Sequence, residues 1–117
     1  MNDYRPIIAL AIFAASVVPA FAELSALDAL SLYRKKDAAI SLFINGLGQG
    51  YSWVNTDLAF ANRRRLFCIP HTLVLTVDQQ IDIVDRHLKR IPADGELPVG
   101  AVLLAALKET FPCPNSN

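Results

Sequence analysis

The chain is poor in the residues that usually carry chemistry: two cysteines, two histidines, one methionine and one tryptophan, with eleven basic residues balancing eleven acidic ones. Charge neutrality removes the strongly basic field on which nucleic-acid binding depends. The glycines of "NGLGQGY" are not followed by the Lys-Ser/Thr pair that a phosphate loop needs. After residue 22 no apolar run approaches the roughly 20 residues that span a bilayer. Nor does any stretch keep up the alternation of apolar and polar residues that marks a sheet, and "TLVLTV" is read as an extended link. No internal repeat or low-complexity segment is visible.

What is present begins with "MNDYRPIIALAIFAASVVPAFAELS". A short head carrying Arg5 leads into an unbroken run of apolar or small residues from Ile7 to Val18. Pro19 breaks the run, and Ala20-Phe21-Ala22 forms a small-residue cleavage signal before Glu23. Residues 1–22 are therefore expected to be a secretory signal peptide. Residues 23–117 are expected to be a single periplasmic domain, free of the membrane once cleaved. A domain of this size buries only about 60–65% of its unfolded surface and is marginal without a staple. Export supplies an oxidising compartment, and an even cysteine count predicts a disulfide between Cys68 and Cys113.

The apolar spacing predicts an all-α fold, a small bundle of about four helices. Leu24, Leu27, Leu30 and Tyr33 recur at helical intervals, with Lys35-Lys36 at the end that favours cations. From Asp37 the pattern resumes through Ile40, Phe43, Ile44, Leu47, Tyr51, Val54 and Leu58, the longest helix, ending near Asn62. Three glycines inside that helix would cost about 1 kcal/mol each relative to alanine. Gly46 and Gly50 are therefore expected to be close-packing positions, crossed by another helix or by a dimer mate. The basic run Arg63-Arg64-Arg65 reads as a solvated loop.

Pro70 keeps Ile69 extended. Thr76-Val77-Asp78-Gln79 fits a capping box that starts a third helix, with Val77, Ile81, Val84, Leu88 and Ile91 as its apolar stripe and Pro92 at its end. "ADGEL" is a turn. Pro98 suits the first turn of a last helix carrying Val99, Val102, Leu103, Ala106, Leu107 and Phe111 on one side, and Pro112 stops it beside Cys113.

Cys68 thus stands just before the third helix and Cys113 just after the fourth, ends that antiparallel neighbours bring together. The competing readings are weaker. A nucleophilic Cys68 would need an imidazole at hydrogen-bond distance and a third, orienting group, which Pro70 directly before His71 does not supply. A zinc site from Cys68, His71, His87 and Cys113 has ligand-like spacing only in its first pair. Both histidines are expected as surface or hydrogen-bonded residues, and neither a metal nor a cofactor is called for.

Three segments, "LFCIP", "TVDQQIDIVDRHLKRIP" and "LLAALKETFPC", resemble the C-terminal half of the Rap/Tai family, small exported helical proteins that protect bacteria against type VI secretion amidase effectors. The matching positions are Cys68 and Pro70, Thr76 and Gln79, Leu88 and Pro92, Ala106 and Leu107, and Phe111 to Cys113. Upstream, "LYRKK" and "FINGLGQG" are similar to the family's Leu-Tyr segment and to its aromatic-x-x-Gly helix, here Phe43, Gly46 and Gly50. The chain departs from the family at Lys36 and Ile40, near which many members carry a further cysteine pair.

The resemblance implies binding and not catalysis: a homodimer that plugs the active-site cleft of a papain-like cysteine amidase with a loop. On that reading the turn Ala93, Asp94, Gly95, Glu96 is the expected partner contact, because it joins the two helices held by the disulfide. Two other readings share the same features, an acid-stress chaperone that exposes apolar faces when its carboxylates protonate, and a periplasmic accessory domain with a different partner.

Overall fold

Local signals start and stop each helix in the computed structural model, which describes residues 23–115; the expected signal peptide at 1–22 lies outside them. Helix α1, Ala26–Arg34, starts on Ser25, whose hydroxyl accepts from the Asp28 amide. Helix α2, Ala38–Phe60, starts on Asp37, whose carboxylate accepts from the amides of Ala39 and Ile40. Both end on a residue in the left-handed region, Lys36 (φ 58°) and Asn62 (φ 55°). The two following amides turn back to helical carbonyls: Asp37 to Leu32 and Lys36 to Tyr33, Arg63 to Leu58 and Asn62 to Ala59. That pattern caps the last turn without a glycine.

Helix α3, Val77–Arg90, carries the expected capping box, with the Thr76 hydroxyl and the Gln79 side chain satisfying each other's backbone amides. A single 3-10 turn, Pro92–Glu96, joins it to α4, Val99–Thr110. Pro98 sits one position earlier than expected, as the residue before the first helical one. Residues Leu73 to Leu75, within the "TLVLTV" read as a link, belong to no helix or strand. The fold is all-α, and among the described residues the extended pairing is confined to one isolated antiparallel bridge between Ser25 and Pro98. No helix of the described residues is long and apolar enough to cross a membrane.

The core lies between α3, α4, α1 and the first turns of α2. Ala26, Ala29 and Leu30 of α1, Ile40 and Ile44 of α2, Ile81, Ile83, Val84 and Leu88 of α3, and Val99, Val102, Leu103, Ala106 and Leu107 of α4 are all buried, with Phe67 added from the α2–α3 linker. Leu27, expected on the inner stripe of α1, is half exposed and lies over the turn instead. The linker returns along α2 because Asn55 holds it at two points: its side-chain amide donates to the Phe67 carbonyl (3.0 Å), and its oxygen accepts from the Leu66 amide (2.8 Å). The Arg63–Arg65 run is exposed at the start of that linker.

Beyond Ile44 the second helix buries none of its side chains fully. Nothing else in the described chain comes within contact of a side chain placed at Gly46 or Gly50, so the crossing expected there does not come from a helix of the same chain. The close approach is at Gly48, where any Cβ would collide with the side chain of Gln80. The pattern of small residues was legible, but the position that is packed lies between the two expected.

Candidate functional site

Cys68 and Cys113 form the disulfide, with Cα atoms 4.9 Å apart and a sequence separation of 45. Alongside it the Cys68 amide donates to the Phe111 carbonyl (2.8 Å), so the α2–α3 linker and the end of α4 are joined by both a covalent and a hydrogen bond. The bridge consumes the sulfurs that a nucleophile or a zinc site would need. His71 is exposed on the linker.

The closed end of the same hairpin is the turn Pro92–Glu96, and it is held with comparable care. Gly95 is buried, and a Cβ there would come within 2.6 Å of Leu27 Cγ, so α1 lies directly against the turn and only glycine fits beneath it. The strap on either side is backbone: the Ala26 amide donates to the Leu97 carbonyl (2.9 Å) and the Val99 amide to the Leu24 carbonyl (2.8 Å).

The third hold is a histidine set between two carboxylates. His87, 3% exposed, points its Nε2 at Asp94 Oδ2 (2.7 Å) and its Nδ1 at Glu109 Oε2 (3.2 Å). An ionised carboxylate only accepts, so both bonds are made together when both ring nitrogens carry a proton. Arg90 pairs with Glu109 from outside. Its hydrogen bond holds the Glu109 carboxyl below the usual carboxylate range, and His87 adds to the same effect. The buried imidazole therefore ties the turn, through Asp94, to the last turn of α4.

Of the four residues expected to meet a partner, Ala93 and Glu96 are exposed, Asp94 is partly covered and engaged by His87, and Gly95 faces inward. Leu97, 47% exposed, joins the outward set. The turn is thus a fixed ridge presenting Ala93, Glu96 and Leu97. His87 and Glu109 were not foreseen as its supports. The signal was there: Gln80, Ile83 and His87 form a second row beside Ile81, Val84 and Leu88 on α3, so a histidine on that row is buried and requires polar partners.

The profile of one protein family, the Rap1a immunity proteins, matches residues 22–113. The chain belongs to the Rap1a immunity family. The match runs from the residue before the first described one to the second cysteine, so it covers the whole helical bundle and its bridge. No curated protein and no solved structure matches the chain. Membership gives this Rap1a-family chain the role of an immunity protein, one that acts by binding a cognate effector.

Proposed function

We propose that the protein binds a cell-wall (peptidoglycan) amidase effector of the cysteine-peptidase type and occludes its active-site cleft with the Pro92–Leu97 ridge, acting in the periplasm after removal of a signal peptide at residues 1–22. The observation that supports this most is the construction of the ridge. A turn fixed by the buried His87 on Asp94, a packed glycine and a backbone strap, with a disulfide holding the end of α4, loses little freedom when it enters a cleft. Glu96, which makes no ion pair among the described residues, is the carboxylate free to face a catalytic histidine, while Asp94 is a support.

The outer face of α2 supports a homodimer. Leu42, Phe43, Leu47, Tyr51 and Val54 line a shallow trough of about 550 Å³ whose floor is Gly46 and Gly50, open to a second helix. Exposed apolar side chains on α2 also suit an acid-stress chaperone, so the test has to separate the two.

The oxidised protein, freed of residues 1–22, is immobilised and challenged with the products of neighbouring genes, and whatever it retains is assayed for peptidoglycan cleavage. An amidase retained at neutral pH and inhibited at one domain per active site supports the reading. Replacing Glu96 with lysine should then weaken inhibition at least about tenfold, the scale of one lost charge-assisted contact, with helicity unchanged. Suppression of client aggregation in acid with no amidase retained would move the assignment to the chaperone.

A further inference from the structure

On the opposite side of α2 from the glycine trough lies a groove of about 560 Å³, walled by the helix on one side and by the returning linker on the other. Its lining is apolar at the mouth, with Trp53 72% and Val74 84% exposed and Leu73 beside them, and deeper in it reaches Ile69 and Phe67. Its floor is polar. Gln80, 4% exposed, lines the groove with its amide packed over Gly48, and its Oε1 has no hydrogen-bond partner. A buried acceptor without a donor is unfavourable, and native structures rarely keep one that nothing ever satisfies.

The linker wall is itself incomplete. Val74 and Leu75 belong to no helix or strand, and their backbone groups make no hydrogen bond among the described residues. The groove therefore offers an apolar mouth, one buried acceptor and one stretch of unpaired backbone. These features match a single kind of occupant, an extended peptide segment that lays an apolar side chain against Trp53 and Val74 and brings an N–H to Gln80. A second copy docking by its own α2 fits poorly, because the amides along that helix are already bonded within it.

We propose that this groove is a second contact site for the effector, taking an extended, uncharged apolar segment of it whose backbone donates to Gln80 Oε1 as that side chain turns from Gly48 into the groove. The inference rests on the amidase-binding reading above but concerns a different face of the molecule from the Pro92–Leu97 ridge.

Trp53 is the single tryptophan of the chain, so biosynthetic 5-fluorotryptophan gives one 19F resonance at the groove mouth. The probe is the amidase retained in the pull-down, carrying alanine for its nucleophilic cysteine. Its addition should shift that resonance, and Gln80→Met should weaken binding by about tenfold, the scale of one buried hydrogen bond. Gln80→Met removes an unsatisfied acceptor at nearly constant volume, so its thermal stability should be equal or higher. Val74→Asp, at a fully solvated position, gives an independent loss of affinity without a folding defect. An amidase that binds and is inhibited with the 19F signal unmoved and both variants at wild-type affinity overturns the groove and leaves the ridge standing. In Leu42→Glu, which removes pairing through the trough, a resonance that still moves with the protein's own concentration overturns it in favour of a self-association face. No amidase retained removes both readings together, and the pull-down alone shows that.

Discussion

The α3–α4 hairpin and the outer part of α2 have similar apolar content but opposite fates. In the hairpin the apolar rows of the two helices face each other, Cys68–Cys113 ties the α2–α3 linker to the end of α4, and His87 ties the turn to the last turn of α4 through Asp94 and Glu109. In α2 beyond Ile44 only Leu47 and Tyr51 reach the edge of the core, and Trp53, Val54 and Phe60 stand 72%, 46% and 88% exposed. One region carries the stability and the other carries unspent surface. Exposed apolar patches that survive on a folded domain commonly mark interaction sites.

The comparison breaks most visibly at the disulfide. Replacing Cys68 and Cys113 together by serine should remove about 4 kcal/mol by loop-closure entropy, a large share of a small domain's stability. Urea melts of oxidised and serine forms measure it. An unchanged midpoint would mean that the hairpin is held by packing alone.

A smaller effect sharpens the comparison within one helix. Ile44→Ala, at a fully buried site, should cost about 2–5 kcal/mol. Leu42→Ala, two residues earlier and 75% exposed, should stay within about 0.5 kcal/mol. Leu42→Glu should abolish self-association in sedimentation at unchanged monomer helicity. If Leu42→Ala costs as much as Ile44→Ala, the outer face of α2 is already covered in solution.

The smallest effect is the pH dependence of the clamp. The Glu109 carboxyl is lowered in the folded state by Arg90 and then by His87. A group lowered on folding stabilises the fold above its unfolded value, and that contribution is lost as pH falls through its folded value. Stability measured down the acid limb should therefore decline less steeply in Glu109→Gln than in the parent. With the Glu109 side chain 44% exposed, solvent screening keeps the difference modest. Parallel limbs would show that the Arg90–Glu109 pair adds nothing to the fold.

The parts of the fold that were legible in the sequence are those whose causes are local or covalent. Thr76 and Gln79 announce the start of α3 because both halves of the capping box lie within four residues. Cys68 and Cys113 could be paired because they are the two cysteines of the chain; Cys113 follows the end of α4 as expected, whereas Cys68 lies in mid-linker and not just before α3. The ends of α1 and α2 were less sharp, since Lys36 and Asn62 took left-handed positions that glycine would have signalled.

The rest depends on contacts between distant residues. Periodicity finds an apolar face but does not say what covers it, so Phe43 and Val54 read the same as Ile40 and Ile44. Gly46 and Gly50 stood out by their spacing, whereas Gly48 is fixed by Gln80, thirty-two positions later. The ridge at Asp94 and Gly95 was visible as a turn. Its supports were not, because His87 binds forward to Asp94 and Glu109, and Leu27 reaches it from the first helix.

The backbone strap between Leu24–Ala26 and Leu97–Val99 has a consequence for timing. The first described residues of the chain to be synthesised bond to nearly the last. While the chain is still emerging, Ala26 and Ala29 have no α4 to cover them, and the ridge has no α1 beneath it. Closure must wait until almost the whole domain is available, so the Pro92–Leu97 ridge gains its support from α1 only late in synthesis.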